Sequence, residues 1–288
     1  SKSAEITQHL YVGPNSNPVL KDPKWIFERA TQMYPLAKAP SIVHVIIYNF
    51  ADVNWAQSKF ESLDSKSDGP ERADRAFNNC RSAENCIGAS LDITKNNEFI
   101  ILYTVQSQDK IQNENIINGE IYAHEFVHNI MDAQMTNRVE AQKQVTNWFW
   151  EGVATYSQTA LIHNKNYDEY YGAKRKLADQ LYRDKTLNED WYNKFLSSTS
   201  SDYRYWRDNY EHWRLYDVGM FVTEILVATY GVDPLMDVFK KIGEGMMWDE
   251  AFEATYKVKW NDVRPIVSKT IVKMIKGYYC LLYTSDAA

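Results

Sequence analysis

Glycine and proline are scarce in this sequence, with 11 and 8 residues among 288. These numbers are too low for a collagenous, low-complexity or loop-dominated protein, so most of the chain should form regular elements. Long hydrophobic runs are also missing, because the longest apolar stretches, 42–50 and 99–105, have the length of buried strands. The sequence therefore predicts a globular protein without a membrane span.

An excess of positive charge is absent as well. The chain carries 32 Lys and Arg residues against 38 Asp and Glu residues, which gives a formal net charge of −6. No basic stripe is available to hold a phosphate backbone, so nucleic acid is not expected as a partner. Because 44% of the residues are hydrophobic, the chain can bury a large core, and disorder is excluded as its dominant state.

Cysteine is rare too, with three residues in the chain. The third, Cys280, opens the string CLLYTSDAA (280–288), which matches the conceptual translation of a transposon adaptor used in sequencing libraries. We therefore expect natural sequence to stop near Tyr279. Cys80 and Cys86 remain, and they either form a short disulfide or stay as two reduced thiols in a surface loop.

The start of the chain and its cysteines bear on the cellular location of the protein. The chain begins without Met and without a signal peptide, so it is expected to be a mature form or a fragment. A disulfide would suit an exported protein, and we expect an extracellular or cell-envelope location. The oligomeric state is not indicated by the sequence.

Hydrophobic periodicity divides the chain into a part with strands and a helical part. Residues 1–23 contain several turn formers and are predicted to be an irregular arm. β-Branched residues predict a strand over 41–50, and 91–94 with 98–105 predict a β-hairpin. From about residue 117 to residue 276 the apolar period is helical.

No linker rich in Pro or Gly separates these parts. We therefore predict one α+β domain over 1–279, with a β-containing lobe over about 1–116 and a helical lobe over about 117–279. Residues 280–288 are excluded from it as adaptor translation.

The segment most informative about chemistry is IYAHEFVHNIM (121–131), whose apolar positions follow one helical stripe. His124 and His128 lie one turn apart on the same face and can reach one ion. Zinc takes nitrogen ligands at about 2.0 to 2.1 Å, and Glu125 beside the first histidine can take a proton from an activated water. The alternative is a pair of exposed histidines on a solvated helix face.

A third metal ligand is predicted 23 residues after His128. Glu151 stands in the strongly apolar run WFWEGVATY (148–156), where a carboxylate needs pairing or metal coordination. The alternative for Glu151 is a helix N-terminal charge favoured by the helix dipole. Gly152 lowers helix stability, which makes sense if another helix or the metal site must approach closely.

These motifs resemble the gluzincin peptidases, in which HExxH and a downstream Glu in an E-G-x-A context bind zinc. The W-x-x-E-G-x-A segment is most similar to bacterial collagenase peptidase domains, and the resemblance covers about residues 98–276. It implies a zincin-like fold with a small mixed β-sheet lobe, a predominantly helical lobe, the active site between them and one catalytic Zn²⁺. The G-A-M-E-N type signature of gluzincin aminopeptidases is absent from 98–106, which favours cleavage within chains.

The function expected from the motifs and the resemblance is zinc-dependent hydrolysis of a protein or peptide substrate by an endopeptidase. Glu125 would serve as general base and later deliver the proton to the leaving amine. The alternatives are a gluzincin aminopeptidase and a non-catalytic zinc-containing binding module. The presence of Glu125 argues against the module, because a structural zinc site has no use for a base.

The resemblance also suggests groups that assist the reaction. A Tyr-x-x-Gly pattern resembles the gluzincin segment whose tyrosine hydroxyl binds the tetrahedral intermediate, so Tyr216 is the expected donor. His212 lies one helical turn before Tyr216 and is the competing donor. Asn129 and Asp132 are candidates for orienting the metal-bound imidazoles. Family patterns often place an acid near the ligand Glu, but one turn after Glu151 this chain has Thr155.

Aromatic residues are dense between 203 and 216. They could line a substrate cleft, because aromatic side chains offer a large contact area with a polar tip. Packing of an amphipathic helix is the commoner explanation for such a stretch. The residues concerned are Tyr203, Tyr205, Trp206, Tyr210, Trp213 and Tyr216.

Overall fold

A computed structural model describes residues 5–67, 70–86, 88–106, 117–136 and 138–277. The string 280–288, predicted to be adaptor translation, lies outside the described residues. Two compact units make up the chain, residues 1–133 and residues 134–288. The predicted α+β class is confirmed, because a four-stranded mixed sheet in the N-terminal part precedes a mostly helical remainder.

The first unit contains four described strands and five described α-helices. The strands are β1 (Thr7–Val12), β2 (Ile42–Tyr48), β3 (Ala89–Ile93) and β4 (Phe99–Thr104). The helices are α1 (Lys24–Met33), α2 (Val53–Ser62), α3 (Pro70–Ala73), α4 (Arg75–Asn79) and α5 (Glu120–Gln134). A 3₁₀ turn at Phe50–Asp52 precedes α2.

The sheet has the strand order β1-β2-β4-β3. β2 pairs in parallel with both β1 and β4, whereas β3 and β4 form the predicted antiparallel hairpin. β2 is buried along nearly its whole length, which explains its continuous apolar sequence. The prediction of an irregular N-terminal arm is wrong over Thr7–Val12, because this half-exposed edge strand carries only a weak apolar alternation.

The two faces of this sheet are covered by different helices. On one face, α2 and α4 pack over β2 and β4 in a buried cluster that includes Cys80 and Cys86, which are joined by a disulfide. On the other face, the ring of Tyr103 in β4 lies 3.9 Å from that of Tyr122 in α5. The Tyr103 hydroxyl donates to the carbonyl of Ile121 at 2.9 Å. These contacts fix α5 on the sheet.

Ten described helices form the second unit. The first five are α6 (Arg138–Gln142), α7 (Asn147–Ile162), α8 (Tyr167–Leu177), α9 (Asp179–Arg183) and α10 (Glu189–Phe195). The others are α11 (Tyr203–Asn209), α12 (Arg214–Tyr230), α13 (Asp233–Gly243), α14 (Trp248–Tyr256) and α15 (Trp260–Ile275). No single helix in the described ranges is long and apolar enough to cross a bilayer; the bent pair α12 and α13 meets that test only together.

Helices α7 and α12 cross where two glycines face each other. A Cβ atom added to Gly152 would lie 2.3 Å from the backbone carbon of Gly219, and one added to Gly219 would lie 2.1 Å from the carbonyl oxygen of Trp148. Such separations are far below van der Waals contact, so neither helix could approach this closely with a larger residue. The close approach predicted at Gly152 is confirmed, and the neighbour is another helix.

Replacing Gly152 by alanine is therefore expected to destabilise the second unit by about 3 kcal/mol or more, the upper range for overpacking. Urea unfolding of the metal-free chain would measure it. Gly172 in α8 is the matched control, because a Cβ there meets nothing within 4 Å. Gly172→Ala should leave stability unchanged or raise it by up to about 1 kcal/mol. Equal effects of the two changes would contradict the packing described.

Candidate metal centre

The two histidines of the HExxH motif point at one another from the same face of α5. Both are buried, His124 at 9% exposure and His128 at 3%. Their Nε2 atoms lie 3.1 Å apart, and the ring planes meet at 84°. The prediction that one helix face carries both imidazoles is confirmed, and the alternative of two solvated surface histidines is wrong.

This distance fits two nitrogens that bind one ion. Two ligands at about 2.0 to 2.1 Å from a tetrahedral zinc are separated by about 3.3 Å. Without an ion, two neutral imidazoles can share only a single proton between these nitrogens. The pair therefore has the geometry of a shared metal site.

Glu151 in α7 completes the ligand set. Its side chain is buried at 5% exposure, and the ligand atoms of His124, His128 and Glu151 all lie within 4.8 Å of one another. A buried carboxylate next to two imidazole nitrogens is a common donor set for a transition metal, and hard cations such as Mg²⁺ prefer oxygen ligands. The three residues can hold a metal ion.

Glu125 is partly exposed and follows His124 in α5. Burial, then the negative charge of Glu125 and the neighbouring Tyr122, hold the pKa of Tyr103 well above its usual value. Tyr103 thus stays neutral and keeps its hydrogen bond to α5. The carboxylate of Glu125 is therefore close enough to Tyr103 for its charge to raise the pKa of that phenol.

A hydrogen bond that the sequence did not predict reaches the third ligand. The hydroxyl of Tyr203, the first residue of α11, donates to Oε1 of Glu151. Tyr203 is 41% exposed, and its hydrogen bond to Glu151 is partly buried. With 20 tyrosines in the chain, no sequence signal distinguishes this one.

Tyr216 and His212 lie in the same aromatic cluster as Tyr203. The His212 ring centroid is 5.9 Å from that of Tyr203 and 5.7 Å from that of Tyr216. Trp213, 66% exposed, has its ring 5.7 Å from that of Tyr216. Ring contacts thus connect His212, and through it Tyr216, to Tyr203, which is hydrogen-bonded to Glu151.

The aromatic stretch is divided between two environments. Trp206 is fully buried, and its ring centroid lies 4.9 Å from that of Phe195. The ring centroid of Tyr210 also lies 4.9 Å from that of Phe195. Tyr203 and Trp213 are exposed. Packing therefore explains Trp206 and Tyr210, whereas Tyr203 is hydrogen-bonded to Glu151 and Trp213 lies next to His212 and Tyr216.

A buried ion pair lies in the first turn of α12, whose residues include Tyr216. Arg214 Nη1 lies 2.7 Å from Oδ2 of Asp217, and both side chains are buried. Burial raises the pKa of Asp217 to about 6, and the Arg214 charge opposes that rise. Because Arg214 also pairs with Glu211 at 3.0 Å, the first turn of the helix is tied on both sides of Tyr216.

The predicted orienting residues are both buried in α5, Asn129 at 0% and Asp132 at 4% exposure. Neither amide atom of Asn129 has a hydrogen-bond partner among the described residues, so no bond from it to an imidazole is observed there. Thr155, one turn after Glu151, also has a buried hydroxyl without a partner in the same part of the chain. Tyr203 is an observed hydrogen-bond donor to Glu151.

Comparisons of the chain with protein-family models, with curated proteins and with solved structures found no match. The evidence for a metal centre is therefore the geometry of three buried side chains. This geometry does not identify the ion or the reaction.

Proposed function

We propose that this chain is a zinc-dependent peptidase that cleaves peptide bonds within chains. The observation that carries the proposal is the convergence of His124, His128 and Glu151, with Glu125 next to the first ligand. Two imidazoles and one carboxylate match the three-ligand sets of catalytic zinc sites, which keep a fourth position open. A zinc site with only a structural role usually closes with four protein ligands.

Zinc bound there would polarise the scissile carbonyl and lower the pKa of a bound water toward about 7. Glu125 accepts a proton from the attacking water, whose oxygen bonds to the carbonyl carbon. Glu125 then delivers that proton to the amide nitrogen as the C–N bond breaks, and the second proton of the water passes from the new carboxyl group to the amine, so the products are a carboxylate and an ammonium group. The partly exposed position of Glu125 allows it to reach both groups.

Tyr216 is the residue we assign to bind the developing oxyanion. It is partly buried beside His212, and the ion pair of Arg214 with Asp217 holds its helical turn. A neutral phenol is a suitable donor, because the negative charge that develops on the oxygen strengthens the hydrogen bond in the transition state.

Tyr216→Phe is expected to lower kcat by about 10² to 10³ with little change in KM, the scale of removing one oxyanion donor. Steady-state kinetics on a peptide substrate would measure it. Tyr230→Phe, at the exposed C-terminal end of the same helix, is the control and should leave kcat unchanged. An unchanged kcat in Tyr216→Phe would move the role to His212 or to the metal alone.

The choice between cleavage within chains and removal of N-terminal residues is tested with paired substrates. The zinc-loaded chain is given a mixed peptide library with free ends and the same library with both ends blocked. Comparable cleavage of the two libraries supports an endopeptidase. Cleavage that requires a free N-terminus would make the chain an aminopeptidase, and zinc binding without turnover would make it a binding module.

A further inference from the structure

The segment that leads into α11 is held against the helix that carries Glu151. The indole Nε1 of Trp148 donates to the carbonyl of Ser198 at 3.0 Å. The backbone N–H of Asn147 donates to the carbonyl of Ser200 at 3.1 Å. Both donors lie in the first turn of α7, one turn before Glu151. Residues 198–200 are therefore attached to this turn by two hydrogen bonds.

The start of α11 is fixed by its own side chains. The Asp202 carboxylate accepts from the backbone N–H of Arg204 at 2.9 Å and caps the helix. The indole of Trp206, fully buried, donates to the carbonyl of Ser200 at 3.0 Å. These contacts fix the backbone that places the Tyr203 hydroxyl against Glu151, although the residue itself is 41% exposed.

We propose that Tyr203 is a positioning residue for the metal centre, which orients the Glu151 carboxylate through its hydroxyl hydrogen bond. The inference rests on the proposed function in taking the ion to be zinc. A donor to a ligating carboxylate fixes its rotamer before the ion arrives, so less ordering is required on binding. Groups that orient metal ligands in this way typically change metal affinity by about 10- to 100-fold.

The test uses the full chain with Tyr203→Phe, which removes the hydroxyl and keeps the ring. Zinc affinity is measured by competition with a chromophoric chelator after metal removal. We expect about 10- to 100-fold weaker zinc binding than in the wild type. The kcat of the zinc-saturated variant is measured beside the affinity, so that an effect on zinc binding is separated from an effect on turnover.

Tyr205→Phe is the matched control on the same short helix. Tyr205 packs against Trp206 and Tyr210. Removing its hydroxyl should therefore leave zinc affinity unchanged. Thermal melting of the metal-free variants separates lost metal binding from lost folding. If metal-free Tyr203→Phe melts early, zinc affinity is compared at a lower temperature at which both chains are folded, and an affinity equal to that of the wild type there would overturn the proposal.

Two results would overturn the proposal. Unchanged zinc affinity in Tyr203→Phe would show that the hydrogen bond has no effect on the ligand. A lower kcat at saturating zinc with unchanged affinity would make Tyr203 a donor to the substrate instead. Failure of the proposed function would show in the wild-type chain, which would bind zinc but not hydrolyse peptides. The comparison of zinc affinity between the wild type and Tyr203→Phe would still test the role of Tyr203.

Discussion

Replacing Glu125 by glutamine is expected to lower peptide hydrolysis by about 10² to 10⁴, the range for losing general acid and base catalysis. Glutamine keeps the size of the side chain but cannot accept the proton of the attacking water. The zinc content should stay at one ion per chain, because the ligands His124, His128 and Glu151 are untouched. Steady-state kinetics and elemental analysis of the same preparation measure both quantities.

The control for this change is Glu140→Gln. Glu140 is exposed and pairs with Lys143 at 2.8 Å on the surface of α6, so its neutralisation should affect neither rate nor zinc content. Full activity in Glu125→Gln would refute the assigned base. Loss of zinc from that variant would instead place Glu125 among the groups that hold the metal.

His128→Ala is expected to abolish stoichiometric zinc binding. Alanine removes one of the three candidate ligands found in the described part of the chain and leaves His124 and Glu151, which are too few for the proposed site. Zinc at 100 times its dissociation constant should stabilise the wild type by about 2.7 kcal/mol through mass action, and this gain should be absent from the variant. Zinc per chain and the shift of the melting temperature on zinc addition measure the effect.

His9→Ala serves as the control for histidine removal. His9 is exposed on β1, where its ring stacks on that of His44 at 4.9 Å. Zinc stoichiometry and the zinc-dependent melting shift should match those of the wild type. A His128→Ala chain that retained one tightly bound zinc would exclude the ligand set described above.

Local signals account for the parts of the fold that could be predicted. Patterns among residues close in sequence predict β2, the hairpin of β3 and β4, and the helices after residue 117. The local pattern does not predict β1, because each residue pairs with one that lies 35 positions along the chain, as Thr7 does with Ile42, and only that pairing makes it a strand. The turn formers that follow it outweigh its weak alternation.

The candidate site was predictable where residue type and periodicity coincide. His124 and His128 share a helix face through spacing alone, and Glu151 is conspicuous as a carboxylate in an apolar run. Gly152 indicated a close approach, and the structure supplies α12 as the neighbour. Tyr203 could not be predicted, because its bond to Glu151 spans 52 residues and depends on how 198–200 attach to α7.

The most direct measurement is hydrolysis of an end-blocked peptide by the wild-type chain before zinc removal, after chelation and after zinc is restored. We expect cleavage at internal bonds, its loss on chelation and its return when one equivalent of zinc is added back. Cleavage that persists in the fully zinc-free chain, or no cleavage in a chain that holds one zinc at His124, His128 and Glu151, would contradict the proposal.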